Sequence, residues 1–154
     1  MKRLLLGCLV ALTATSCEWL LGWELGEVTH EASWYVRNCS DEPLIVKSVG
    51  FLESRERIEA GDSVCLFYFC PETVEFEAFY LYRPGAPGDE WSIELLSEDS
   101  LRIRQWRFIE HEADGKQFFR EADWRFRSEP IGKSKSRKLV WVFDVAADEL
   151  QPVE

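Results

Sequence analysis

The stretch that most clearly favours a β fold runs from Ala32 to Phe51 and reads ASWYVRNCSDEPLIVKSVGF. Residues 32–39 are rich in aromatic and β-branched side chains, which favour strands. Ser40-Asp41-Glu42-Pro43 is typical of a turn, and Leu44 to Phe51 is again β-branched. The stretch therefore predicts two strands separated by a tight turn.

The rest of the chain repeats this pattern, whereas helical periodicity is nearly absent. Ser63 to Cys70 is apolar on both faces, which predicts an interior strand. Thr73 to Tyr82 alternates, with Val74, Phe76 and Ala78 on one face, and Arg83 to Asp89 is typical of a loop. Further strands are predicted at 91–96, 101–109, 122–127 and 138–145, and 128–137 reads as a polar loop. Seven or eight strands without an internal repeat favour a sandwich or a barrel, and we predict a single antiparallel β-sandwich.

The N-terminus has the three parts of a bacterial secretion signal. Met1-Lys2-Arg3 is basic, Leu4 to Ala14 is apolar, and Ala14-Thr15-Ser16-Cys17 closes the run. The apolar run is shorter than the roughly 20 residues of a spanning helix. We expect cleavage after Ser16 and lipid attachment at Cys17, with cleavage by ordinary signal peptidase as the alternative. Cys8 is a poorer site because only three apolar residues, Leu4 to Leu6, would separate the basic start from a cut after Gly7.

These observations predict the domain limits and the compartment. We expect a signal peptide at 1–16, a short apolar tether at 17–27, the sandwich at 28–148 and a C-terminal tail at 149–154. The tether carries Trp19 and Trp23 and either covers the base of the domain or lies at the level of lipid headgroups. The expected location is the cell envelope, at the outer membrane, with the lipid as the membrane contact.

Composition excludes some function classes. The net charge of −10 becomes −12 when Lys2 and Arg3 leave with the signal. Such a surface repels nucleic acid, so no nucleic-acid partner is expected. The pair Cys65-x₄-Cys70 is not accompanied by a second cysteine pair, and His30 and His111 are not spaced as metal ligands usually are in a sequence. We therefore expect no metal and no cofactor.

Three functional hypotheses remain. Catalysis is not expected, because Glu110-His111-Glu112 has no second catalytic element near it in the sequence. The preferred hypothesis is a non-catalytic binding or structural module, in which the basic stretch Lys133 to Lys138 could touch headgroups or an acidic partner. The alternative is glycan binding by exposed aromatic residues. The predicted stacking pair is Trp91, which lies beside the Pro/Gly loop, and Trp106, near which the apolar-polar alternation is interrupted at Gln105. The competing interpretation is that both tryptophans lie in the core.

Two motifs resemble parts of known families. Arg37 to Leu44 (RNCSDEPL) followed by Ile58 to Val64 (IEAGDSV) resembles the turn pattern of Ig-like β-sandwich modules. Residues 116–124 (KQFFREADW) and 141–145 (WVFDV) resemble the closing segments of small uncharacterised cell-envelope lipoproteins of Bacteroidota, and the Ser16-Cys17 junction is similar to signals from that phylum. The resemblance implies a fold and a compartment, and no functional residue is transferred.

The same resemblance implies one cysteine pairing. It implies that the strand ending at Cys39 runs antiparallel to the strand beginning at Ser63, which would bring Cys39 near Cys65. A Cys39–Cys65 disulfide follows from it, with three reduced thiols as the alternative, and a Cα separation beyond about 7 Å would exclude the bridge.

Overall fold

The computed structural model describes residues 28–78 and 90–153. These residues contain nine strands in two sheets, joined by turns and three short 3₁₀ segments. The strands are β1 (Glu31–Asn38), β2 (Leu44–Val49), β3 (Ser54–Ile58), β4 (Ser63–Phe69), β5 (Ser92–Ser97), β6 (Arg102–Arg107), β7 (Arg125–Pro130), β8 (Arg137–Val145) and β9 (Gln151–Pro152). The predicted all-β sandwich is confirmed.

One sheet, here called the front sheet, has the strand order β4-β1-β8-β7. Its two central strands, β1 and β8, are parallel, with Trp34 opposite Trp141, while β4 and β7 pair antiparallel at the edges. The indole rings of Trp34 and Trp141 stack at 4.8 Å between centroids. The first and last long strands of the chain therefore meet in the middle of one sheet.

The second sheet, here called the back sheet, has the order β3-β2-β5-β6-β9, and all its pairings are antiparallel. Its inward side chains meet those of the front sheet in one apolar core. Aromatic rings from loops complete this core: Phe118 lies 4.8 Å from Trp124 and 5.1 Å from Phe143, between ring centroids. Offset and edge-to-face aromatic contacts of this kind add to the stabilisation that apolar burial provides.

Asn38 joins the two turn motifs at one end of the sandwich. Its buried amide donates to the carbonyl oxygens of Glu42 (2.8 Å), Ile58 (3.2 Å) and Glu59 (3.2 Å). Its amide oxygen accepts a hydrogen bond from the backbone N–H of Ser40 at 2.9 Å. One side chain thus satisfies backbone groups from both turn motifs.

Several strand predictions need correction. The strand Ser63–Phe69 is an edge strand rather than an interior one, because β1 pairs with it on one side only. Residues 73–77 form a bend, an irregular stretch and a turn rather than a strand, and Ala78 is helical. Phe76 and Ala78 are buried as expected, and residues 79–82 lie outside the described part of the chain. Strand β3 was not predicted, because four of its five residues (SRERI) are polar or charged.

The sandwich also extends beyond the predicted boundary at residue 148. Leu150 is buried, and β9 pairs with β6 through Ile103 and Gln151. The segment predicted as a C-terminal tail therefore completes one edge of the back sheet. Within residues 28–78 and 90–153, no helix is long and apolar enough to span a membrane.

Candidate functional site

The outer face of the front sheet is the candidate site. Strand alternation directs one set of side chains into the core and the other set outward. Trp34 and Val36 of β1 point inward, so Tyr35 and Arg37 point outward. The strand register then aligns outward residues of neighbouring strands in rows: Asp144, Arg37 and Ser63; Arg125, Val142, Tyr35 and Cys65; Arg127, Val140, Ser33 and Tyr68; Glu129, Lys138 and Glu31.

A cluster of arginines gives part of this face a positive charge on a chain whose net charge is −10. Arg37 makes two hydrogen bonds to the Asp144 carboxylate, from Nε to Oδ1 at 2.9 Å and from Nη2 to Oδ2 at 3.0 Å. Arg125 Nη2 also donates to Asp144 Oδ1, at 2.8 Å. The Asp144 carboxylate raises the pKa of Arg37, first by the hydrogen bond and then by its charge. One carboxylate thus faces two guanidinium groups, which leaves a surplus positive charge.

Arg127 adds a third guanidinium. It is exposed, and no ion pair joins it to another described residue. Arg125 and Arg127 lie two residues apart on the same face of β7, so their Cα atoms are separated by about 7 Å. An anionic group placed between them would meet two cations at once.

A shallow groove of about 560 Å³ runs beside these arginines. Val142, which is half-buried, is the accessible apolar part of its floor, whereas Val140 is only 3% exposed although it lies on the outer face. The groove is lined by Tyr35, Arg37, Ser63, Arg125, Phe126, Arg127, Val140 and Val142. A binding site typically combines an apolar floor with a few polar groups in this way.

Two tyrosines lie on the same face. Tyr68 of β4 is 56% exposed, and Tyr35 of β1 is half-buried. Alternation within 32–39 could have identified Tyr35 and Arg37 from the sequence. Tyr68 could not be identified, because a bulge between Trp34 and Tyr35 shifts the register of β4.

The predicted stacking pair, Trp91 and Trp106, is wrong. Their side chains are 1% and 2% exposed. Trp91 Nε1 donates to Ser48 Oγ at 3.0 Å, and Trp106 Nε1 donates to the Lys116 carbonyl at 2.9 Å. Alternation does not slip at Gln105, because Arg104 also points inward and its guanidinium carbon lies 5.7 Å from the Trp106 ring centroid.

The predicted Cys39–Cys65 disulfide is also wrong. Strands β1 and β4 are antiparallel as expected, but Cys65 lies opposite Tyr35. Tyr35 precedes Cys39 by four residues, a distance of about 13 Å along a strand. Cys39, Cys65 and Cys70 are all free and exposed. Burial raises the pKa of the Cys65 thiol despite the exposure of the residue.

The remaining candidate residues lie elsewhere. His111 is exposed on a turn, where its Nδ1 lies 2.9 Å from the Phe108 carbonyl. Lys133 and Lys135 are exposed in the turn between β7 and β8. Among the described residues, no group of three His, Cys, Asp or Glu side chains is arranged to hold a metal. Ser16 and Cys17 lie outside the described residues.

No known protein family, curated protein or solved structure matches this chain.

Proposed function

We propose that the protein is a membrane-anchored lipoprotein of the bacterial cell envelope, at the outer membrane, with a non-catalytic β-sandwich that binds a partner or has a structural role. The anchor in this proposal is lipid on Cys17. Its support is the order of basic start, apolar run and small residues before that cysteine.

Mass spectrometry of the mature N-terminus tests the anchor. The expected result is a chain that begins at Cys17 and carries lipid on that residue. A Cys17→Ser variant is the control and should accumulate uncleaved. An unmodified Cys17 at the mature N-terminus would contradict the anchor.

The binding role is supported by the outer face of the front sheet. The observation that carries it is the Arg127 guanidinium, which has no ion pair among the described residues and lies beside the groove on an acidic protein. Exposed charge beside a desolvated apolar surface favours recognition of an oppositely charged partner. The described residues of this face offer no nucleophile paired with a general base, so binding is better supported than catalysis.

In-cell photo-crosslinking tests the binding role. A photoreactive amino acid is placed at position 127, and the control places it at position 55. Arg55 is also exposed, outward-facing and without an ion pair among the described residues, but it lies on the back sheet. We expect a crosslinked adduct from position 127 and not from position 55. Equal labelling, or none, would contradict a binding role for this face.

Glycan binding is the second candidate, with Tyr35 and Tyr68 in place of the buried tryptophans. Two aromatic side chains on one accessible face favour stacking on sugar rings. A glycan array probed with the full chain in detergent and with its Tyr68→Ala variant tests it. The expected result is a set of glycans whose binding falls in the variant, and an array without bound glycans would exclude this candidate.

A further inference from the structure

We propose that the groove on the front sheet binds a carboxylated polysaccharide, with Arg125 and Arg127 holding a sugar carboxylate beside the half-buried side chain of Val142. This inference rests on the proposed role of the outer face as a binding surface. It adds the chemical class of the ligand and the residues that select it.

Charge selects an anionic ligand. Asp144 is held by Arg37 and Arg125 together, so its negative charge cannot neutralise both. Arg127 has no ion pair within the described residues. A ligand carboxylate between Arg125 and Arg127 would neutralise the surplus positive charge. It could also accept two hydrogen bonds from either planar guanidinium.

The floor and walls of the groove suit a sugar ring. A pyranose presents C–H groups on its faces and hydroxyl groups at its rim, and the groove offers matching chemistry. Val142 offers a half-buried apolar side chain, while the Tyr35 and Ser63 hydroxyl groups can both donate and accept hydrogen bonds. Repeating sugar units with one carboxylate each would place a ring on the floor and a charge beside β7.

An acidic peptide fits this face less well, because a peptide also needs partners for its backbone. The central strands β1 and β8 are already paired on both sides, so their backbone groups are not free to bind a peptide. Strand addition at the free edge of β7 is obstructed, because Pro130 has no N–H and Arg137 Nη2 donates to the Ser128 carbonyl at 3.2 Å.

An anionic membrane surface also fits less well. A flat surface would contact the whole face, including the row next to Arg127, where the exposed carboxylates of Glu31 and Glu129 flank the exposed Lys138. The two carboxylates outnumber the one lysine there, so this row would repel anionic headgroups. A polysaccharide chain occupies the groove alone and avoids both carboxylates.

The test measures binding of the full chain, purified in detergent, to immobilised polysaccharides. Polygalacturonate, alginate and hyaluronate carry carboxylates, and dextran and galactan are neutral controls. We expect at least one carboxylated polymer to bind, and the neutral polymers not to bind. Binding should weaken as salt rises from 50 to 500 mM, because the contact is exposed and charged.

Two matched variants locate the site. Arg127→Gln should weaken binding at least about tenfold, the loss expected for a charge-assisted contact. Arg55→Gln removes an equally exposed, unpaired arginine from the back sheet and should leave binding unchanged. Thermal unfolding of both variants should match the parent, because neither side chain packs in the core.

The other outcomes separate this inference from the proposed function. Binding to none of the three carboxylated polymers, or binding that Arg127→Gln leaves unchanged, would overturn the inference. The protein could instead prefer poly-glutamate or phosphatidylglycerol vesicles to the polysaccharides, with this binding lost in Arg127→Gln. That result would also overturn the inference, but the outer face would keep its binding role. Absence of the crosslink at position 127 would remove that role itself.

Discussion

Asn38 is the residue on which the end of the sandwich most depends. Its side chain is fully buried and bonds to the backbone of both turn motifs, at Ser40 and Glu42 in the first and at Ile58 and Glu59 in the second. Replacement by alanine would remove these hydrogen bonds and leave the Ser40 N–H without its acceptor. The Glu42 and Glu59 carbonyl oxygens would each keep one other donor, Ser40 Oγ and the Asp62 N–H. Each buried polar group without a partner costs about 1–3 kcal/mol.

We therefore predict that Asn38→Ala lowers the free energy of unfolding by about 3 kcal/mol, as measured by urea denaturation. Ser40→Ala is the control. It removes only the contacts of one half-buried hydroxyl group and should cost about 1 kcal/mol. An Asn38→Ala cost no larger than that of the control would show that water replaces the amide.

Cys65 differs chemically from an ordinary exposed thiol. Burial raises the pKa of Cys65, which lowers its thiolate fraction near neutral pH, and the thiolate is the reactive form. We predict that iodoacetamide at pH 7.5 labels Cys65 more slowly in the native protein than in the urea-unfolded protein. Peptide mass spectrometry measures both rates, and the same maps, without reductant, should contain no Cys39–Cys65 linkage. Native labelling as fast as unfolded labelling would contradict the raised pKa.

At the scale of elements, alternation predicted the central strands well. β1, β2, β5 and β8 lie within a residue or two of their predicted limits, because each carries a continuous apolar face. β3 was missed because its outward side chains are charged and it takes its place by pairing with β2. The same dependence on partners explains why Trp106 was predicted to be exposed: its cover comes from other segments of the chain, at Lys116 and Phe143.

The hairpin between β5 and β6 depends on a single carboxylate. Asp99 accepts hydrogen bonds from Ser97 Oγ at 2.6 Å and from the Leu101 N–H at 3.0 Å, and these bonds lower its pKa. The folded state therefore binds the proton less readily than the unfolded state does. The stabilisation is present above the ordinary Asp pKa of 3.8 and is lost as pH falls through the lower folded value.

We predict that Asp99→Asn is less stable than the parent at pH 6, and that this difference shrinks as the pH falls from 4 towards 2. The reason is that the parent loses its charged acceptor when Asp99 is protonated. Urea denaturation at each pH measures the difference. Exposed Asp148→Asn is the control and should show no such change. A difference that stays constant over this range would contradict a role for ionised Asp99.

At the scale of the whole molecule, stability should be highest where the two sheets meet. β1 and β8 are paired on both sides and bury alternate side chains completely, whereas β7 and β9 are largely exposed edge strands. Amide hydrogens in such a core exchange only when most of the domain unfolds, whereas amide hydrogens of edge strands exchange when the strand ends unfold locally.

We predict that hydrogen exchange is slowest in β1 and β8 and much faster in β7 and β9. Exchange followed by mass spectrometry, or by NMR, measures the protection of each strand. The back sheet supplies an internal control, since central β5 should be protected more than edge strand β3. Fast exchange in β1 would show that the parallel pair is not part of the stable core.

The sequence by itself determined the fold class, because period-two alternation and turn residues are local properties that any extended, half-buried strand must satisfy. It also supplied the surplus of acidic charge and the pattern of the N-terminal signal, which depend only on composition and order. The tertiary structure alone decided that β1 and β8 lie parallel, that Asn38 joins the two turn motifs, and that Trp91 and Trp106 are buried while Tyr68 is exposed. The physical reason is that the side chains that cover a strand face come from segments far away in the chain. The residues next to a strand in sequence therefore do not indicate which of its faces will be exposed to solvent.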